Sequence, residues 1–230
     1  MVAGIIVAAG QGIRMQGPLR KQYLSLAGLP ILVHTLSVFN DCDLIDHIYL
    51  VIPQDDFDFC REHILTSDKL SRRIGLVCGG ARRQDSVYNG LKEVGPECGI
   101  VVIHDGVRPF VQNDQLEACI RGAREFSACI LGVPASDTLK MTNSSSCIVK
   151  TLKRDNVWLA QTPQAFRCEL IKKAHDRARL EGYAATDDAS LVERMGISLK
   201  IIRGSRTNKK ITSMEDLSIA EGLLNSALPD

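Results

Sequence analysis

The chain has 230 residues, 45% hydrophobic and 24% charged, with a formal net charge of +1. That is material for one globular domain with a substantial core. The near-neutral charge argues against a general nucleic-acid or membrane surface, so any positive field must be local.

Ile5-Ile6-Val7-Ala8-Ala9 predicts a buried strand. It breaks into Gly10-Gln11-Gly12 and then into Arg14, Arg20 and Lys21, with no acidic residue before Asp41. A strand feeding a glycine loop can bring bare backbone N–H groups to a ligand. The cations after it suggest an anion, most simply a polyphosphate. Two sharper templates fail. A dinucleotide fingerprint needs a third glycine where Met15 stands. A Walker loop needs Gly-Lys-Ser/Thr, but Gly17 is followed by Pro18-Leu19. A glycine turn with a solvated basic face is the plainer alternative.

Pro30 suits the first turn of a helix with the apolar stripe Ile31, Leu32, Thr35, Leu36 and Phe39. His47 to Ile52 predicts a strand, and Asp55-Asp56 the start of a helix ending near Leu65. Ile74 to Cys78 predicts a short strand, followed by Gly79-Gly80 and a helix with Val87, Leu91 and Val94 on one face. Ile100 to Ile103 is continuously apolar and predicts a strand buried on both sides. Asn113 can cap a helix bearing Leu116, Ile120 and Ala123. Further strands are expected over 129–133, 157–160 and 198–202, with helices near 168–181, 187–195 and 213–228. Ser213 and Asp216 have the spacing of a capping pair.

This alternation predicts a mainly parallel, twisted sheet with helices on both faces. Ligands of such sheets bind beyond the carboxyl ends of the strands. Gly10, Gly79, Asp105 and Pro134 all follow predicted strands, so their loops are expected to meet at one crevice. One segment breaks the pattern. Residues 136–156 read as two polar strands around Asn143-Ser144-Ser145-Ser146, with arms of about 7–8 residues or roughly 25 Å. An isolated hairpin is marginal in water, so this one is expected to project and to need a partner, most simply a second subunit. A floppy insertion is the alternative.

No apolar run approaches the ~18 residues of a membrane span. No basic leader precedes the first apolar run, so a cytoplasmic protein is expected. The eight cysteines, at 42, 60, 78, 98, 119, 129, 147 and 168, lie ten or more residues apart. They read as reduced core residues, not a disulfide framework or a zinc site.

Asp105 closes a buried strand, where a carboxylate facing a phosphate crevice is placed to hold Mg²⁺; a cap or a partner for Arg108 is the alternative. His104 reads as structural, since no second His or Cys lies near. Arg82 and Arg83 either cap phosphates or are solvated. Arg203, Arg206, Lys209 and Lys210 form an acid-free basic run that in isolation reads as a solvated loop; its expected place at the crevice favours a function for one lysine. No nucleophile–base pair is visible. The residues suit direct displacement at phosphorus, which needs positioning and cations more than covalent help.

The motifs Val7-Ala8-Ala9-Gly10-x-Gly12-x-Arg14-Met15, Lys21-Gln22-Tyr23-Leu24, His104-Asp105-Gly106-Val107-Arg108-Pro109, Asp137-Thr138-Leu139-Lys140, Trp158-x-x-Gln161-Thr162-Pro163-Gln164, Thr186-Asp187-Asp188-Ala189-Ser190 and Lys210-Ile211-Thr212 run through nearly the whole chain. Together they resemble the 2-C-methyl-D-erythritol 4-phosphate cytidylyltransferase family. The resemblance implies a Rossmann-like α/β nucleotidyltransferase fold, a single domain over 1–230 with a dimerisation arm at about 136–156. It implies a cytoplasmic homodimer that makes CDP-methylerythritol and pyrophosphate from CTP in isoprenoid precursor synthesis. Catalysis would fall to Arg14, Lys21 and Lys210. Nucleotide binding would fall to Ala8, Ala9, Gly10, Gly12, Gly80, Arg83, Ser86, Asp105 and Gly106, with Mg²⁺ on Asp105. Arg108, Thr162, Thr186 and Lys210 would hold the methylerythritol phosphate, joined by Thr138 and Arg154 from the partner's arm. One position departs from the family pattern, which has proline before the lysine. Arg20 there leaves the backbone freer or adds a phosphate contact. A cytidylyltransferase for another polyol phosphate such as ribitol 5-phosphate, or a non-catalytic nucleotide-binding dimer, are the rival readings.

Overall fold

The computed structural model describes residues 1–10, 19–72 and 74–225. The apolar opening run forms β1 (Val2–Val7). A 3₁₀ turn over Lys21–Tyr23 and a small hairpin, β2 (Ser25–Leu26) and β3 (Leu29–Pro30), lead into α1 (Ile31–Asn40). Then β4 (His47–Ile52), α2 (Phe57–His63), β5 (Ile74–Cys78), α3 (Arg83–Glu93), β6 (Ile100–Asp105), α4 (Asn113–Phe126) and β7 (Ala128–Pro134) alternate. A second hairpin, β8 (Leu139–Thr142) and β9 (Ile148–Leu152), interrupts before β10 (Trp158–Arg167), α5 (Cys168–Leu180), α6 (Asp188–Glu193), β11 (Lys200–Arg203) and α7 (Met214–Asn225).

Among the described residues the main sheet runs β11-β7-β10-β6-β1-β4-β5. β10 is antiparallel to both neighbours, and the other pairings are parallel. The strand period of two divides the core between the faces. Ile6 and Val102 pack with α1 and α4, through Leu36 and Ile120. Ile5 and Val101 pack on the other face with α3 and α5, through Leu91 and Ile171. Ile100 to Ile103 are all buried, as a strand covered on both faces requires. All five residues of the predicted α1 stripe are fully buried. Ser213 and Asp216 make the reciprocal capping bonds, each 3.1 Å, that start α7.

The structure corrects several boundaries. β1 ends at Val7, so Ala8 and Ala9 already belong to the loop. The strand expected over 157–160 continues to Arg167. Pro163 disguised it. Between Ala160 and Gln164 the register slips, so that three residues of β10 face one of β7. A proline, lacking an N–H for the ladder, is tolerated at such a bulge. β2 and β3 were not expected, because two-residue strands carry no periodicity. The arm hairpin is shorter than predicted, with strands of 4 and 5 residues. All eight cysteines are free; six are buried, while Cys78 and Cys147 are exposed. Among the described residues no helix is long and apolar enough to cross a membrane.

Candidate active site

Beyond the carboxyl ends of β1, β5 and β6, their loops wall a cleft of about 390 Å³. One side is Ala8-Ala9-Gly10, the other Gly80 to Arg83, with Asp105, Lys21 and Lys210 between. The two loops touch, and Gly79 allows it: a Cβ there would stand 2.3 Å from the Cβ of Ala9. A second cleft of about 250 Å³ is lined by Arg108, Thr162, Thr186 and Asp187 among others. Arg83, Asp105 and Lys210 border both clefts and form their common wall.

Asp105 organises that wall. Its Oδ1 accepts from Arg83 Nε at 3.0 Å. Its Oδ2 takes Lys210 Nζ at 3.0 Å and Arg108 Nε at 3.3 Å. Burial alone would raise the Asp105 pKa, but Arg83, Lys210 and Arg108 outweigh it and hold the carboxyl well below the usual range. Behind the wall, Arg83 Nη1 reaches Asp188 Oδ2 at 2.7 Å, and Asp188 Oδ1 lies 3.0 Å from His175 Nε2. Both Asp188 and His175 are fully buried. A buried charge of this kind persists only when paired, and the chain His175–Asp188–Arg83–Asp105 pairs it at each step.

Buried amides bring the distant basic loop to β6. Arg108 Nη1 donates to the Asn208 carbonyl at 2.8 Å, and Asn208 Nδ2 donates to the Thr162 carbonyl at 2.8 Å. Gln161 Nε2 donates to the Ser205 carbonyl at 2.8 Å. Ile211, buried and with its N–H on the Val107 carbonyl at 2.9 Å, then sets Lys210 beside Asp105. Lys209 turns away to Asp216, at 2.9 Å. Thr162 Oγ1 accepts the Asp105 N–H at 3.1 Å, which leaves its own hydrogen to donate.

Lys21 lines the larger cleft from its 3₁₀ turn. Gln22, almost fully buried, donates its Nε2 to the Ala8 carbonyl at 2.8 Å. The Tyr23 hydroxyl donates to Asp56 Oδ2 at 2.9 Å, and Arg20 Nε stands 2.9 Å from the same oxygen. Arg20 is therefore neither freed nor turned to the cleft: its side chain is held by Asp56.

Gly12 and Arg14 lie outside the described residues. Ala8, Ala9, Gly10, Gly80, Arg83 and Ser86 line the larger cleft as expected. The Ser86 hydroxyl, however, is engaged by its own loop, accepting from the Gly80 N–H at 3.0 Å and donating to the Arg82 carbonyl at 3.1 Å. Gly106 was expected in the nucleotide site but lies beneath it. Its N–H bonds the Val7 carbonyl, and a Cβ there would meet the Ala8 Cβ at 2.9 Å. Arg82 also lines the larger cleft, while its N–H and Nε bond Asp85 at the start of α3. Thr138 and Arg154 are exposed at the hairpin base and line neither cleft of their own chain, with Arg154 Nη1 on the Ser136 carbonyl. His104 is structural. It is fully buried against Phe39, its Nε2 on the Arg108 carbonyl, and burial lowers its pKa to about 4.

Among the described residues no three His, Cys, Asp or Glu side chains gather to hold a metal. Among the described residues Asp105 is the one carboxylate that lines the larger cleft. That fits Mg²⁺, which binds through one or two carboxylates and takes substrate phosphates and water as its remaining ligands.

The family model described as 2-C-methyl-D-erythritol 4-phosphate cytidylyltransferase matches residues 2–226. The chain belongs to this family. A 2-C-methyl-D-erythritol 4-phosphate cytidylyltransferase of Syntrophus aciditrophicus is 48% identical over 97% of this chain and 95% of its own length. The relative of that name in Geobacter metallireducens is 45% identical over 99% of both. The crystal structure of 4-diphosphocytidyl-2C-methyl-D-erythritol synthase from Anaerococcus prevotii superposes with a TM-score of 0.86 at 33% identity, covering 97% of this chain and 96% of that one.

The cytidylyltransferase motifs pointed to the residues at the cleft surface and passed over those that hold them. Gln22, Gln161 and Asn208 are buried amides within two residues of predicted site residues; Gln22 and Gln161 stood in quoted motifs without a role, and Asn208, between exposed Thr207 and Lys209, gave no signal. Asp188 stood in a quoted motif without a role. Asp56 gave no signal beyond a helix start, since its partners lie 33 and 36 residues earlier.

Proposed function

We propose that this chain transfers a cytidylyl group from CTP to 2-C-methyl-D-erythritol 4-phosphate, releasing pyrophosphate and forming CDP-methylerythritol for isoprenoid precursor synthesis. The observation that carries this reading is the shared wall. Two clefts meet at Arg83, Asp105 and Lys210, two cations to one carboxylate. A nucleotide in the larger cleft and a sugar phosphate in the smaller would bring their anionic groups together there.

In this reading an oxygen of the acceptor phosphate attacks the α-phosphorus of CTP. The new P–O bond forms as the bond to the β-phosphate oxygen breaks, and pyrophosphate leaves with that electron pair. Arg14, Lys21 and Lys210 stabilise the charge that spreads over the equatorial oxygens, the larger part of catalysis for such transfers. Arg83 lies along the nucleotide, while Arg108, Thr162 and Thr186 hold the acceptor phosphate. Thr162 is ready to donate its hydroxyl hydrogen, and Arg108 is fixed by Asn208. Asp105 would hold Mg²⁺ together with the nucleotide's phosphates. When bound, the ion neutralises phosphate charge.

We further propose one cytoplasmic domain whose arm, about 136–156, exchanges with a second subunit and delivers Thr138 and Arg154 to the partner's acceptor cleft. What supports this is the exposure of Met141, Ile148, Val149 and Leu152 on a two-stranded hairpin that cannot bury them itself. The test of the transfer is pyrophosphate release with CTP alone, with the acceptor alone and with both. Release only with both supports it. Nucleotide binding without release in any of the three favours a non-catalytic dimer.

A further inference from the structure

Lys21 sits on a 3₁₀ turn of three residues, too short to hold a side chain in place by its own hydrogen bonds. The backbone that carries it is fastened through its neighbours. After it, Gln22 is bonded to the Ala8 carbonyl, and Tyr23 is bonded to Asp56 and packed on Phe59 with ring centroids 4.9 Å apart. Before it stands Arg20, with φ −66° and ψ 144°. That φ is the one a proline ring imposes. An arginine can adopt it but is also free to leave it, and here the Arg20 guanidinium is held by the Asp56 carboxylate at 2.9 Å. The Tyr23 hydroxyl shares the same carboxylate oxygen. Asp56, at the start of α2, thus grips the turn on both sides of Lys21.

We infer that Arg20 and Asp56 are positioning residues for Lys21, an ion-paired clamp that does the work of a proline ring. The inference rests on the role given to Lys21 above. Arg20 acts through backbone conformation and touches no substrate. The clamp is part-exposed, with side-chain exposures of 30% for Arg20 and 15% for Asp56, so each component contributes modestly and is weakened by salt.

A double-mutant cycle tests it. Arg20→Ala and Asp56→Asn should each lower kcat about three- to fivefold, the scale of one part-exposed ion pair, with KM for CTP unchanged. Asn at 56 still accepts from Tyr23, so the fold is retained. The double variant Arg20→Ala/Asp56→Asn should be no slower than either single. Introducing Arg20→Pro into the Asp56→Asn chain should restore turnover, because the ring needs no carboxylate. Amide exchange supplies a readout apart from catalysis. The Tyr23 N–H, bonded to the Arg20 carbonyl at 2.9 Å, should exchange faster in Arg20→Ala and return to the wild-type rate in Arg20→Pro/Asp56→Asn. Additive losses, a raised KM for CTP in Arg20→Ala, or no recovery of turnover and exchange with proline each overturn the clamp. The functional reading fails differently: pyrophosphate is not released by the wild type, or Lys21→Ala keeps its turnover, while the exchange result still decides the clamp.

Discussion

Asp105→Asn is the most informative single substitution. It leaves the shape of the side chain and removes the charge that Arg83, Arg108 and Lys210 share. Asp105 is buried, and the side chains of its partners are 26%, 13% and 36% exposed. Removing one member of a buried ion pair costs about 3–5 kcal/mol, since the charge left behind is uncompensated. Lys210 can turn to solvent and Arg83 keeps Asp188, so the lower end, about 3 kcal/mol, is expected. At this chain length about 2–4 °C of melting temperature accompanies each kcal/mol, which gives a drop of roughly 6–12 °C at pH 7. Thermal melting followed by circular dichroism measures it, with pyrophosphate release assayed on the same samples. A variant that melts within about 2 °C of the wild type would refute the claim that Asp105 holds the cations together.

Lys21→Ala and Arg14→Ala should each lower kcat by ~10²-fold or more, as expected for one preorganised charge-stabilising donor, measured by steady-state pyrophosphate release. Mixing inactive Lys21→Ala and Arg154→Ala subunits should recover part of the activity in heterodimers; no recovery would mean that Arg154 serves its own chain. Asp216→Asn keeps the acceptor oxygen but removes the charge that pairs with Lys209 and faces the start of α7, and should lower the melting temperature at pH 7 by about 2–4 °C, for about 1 kcal/mol of lost ion-pair and helix-dipole stabilisation. Burial would raise the Asp216 pKa, but Lys209 and the donors of Thr212 and Ser213 hold it below its ordinary 3.8. A depressed carboxyl stabilises the fold above its unfolded pKa, so the gap between variant and wild type should be full at neutral pH and narrow as pH falls below 3.8.

The sheet was legible because its strands are continuous apolar runs between helices with clear stripes. His47–Ile52 and Ile74–Cys78 were read to the residue for that reason. β10 was not, because Pro163 interrupts the local signal where the tertiary structure absorbs it in a bulge. The site was legible in its charged residues, since cations and a strand-end carboxylate suggest phosphate whatever the fold. Its supports were less so. Asn208 and Gln161 matter through contacts 46 and 44 residues away, and Asp188 reaches Arg83 across 105. Separations of that size leave no periodicity to read. Arg20 is the sharpest case: in sequence it looked like a loosened loop or another phosphate ligand, while in space Asp56 claims it.

A comparison of acceptors bears most directly on the proposed transfer. With CTP saturating, kcat/KM for pyrophosphate release should be at least ~10²-fold higher with 2-C-methyl-D-erythritol 4-phosphate than with ribitol 5-phosphate, the scale of discrimination that well-placed polar contacts supply. Equal use of both, or a preference for ribitol 5-phosphate, would contradict the assigned acceptor. Release from neither would contradict catalysis at the Asp105 wall.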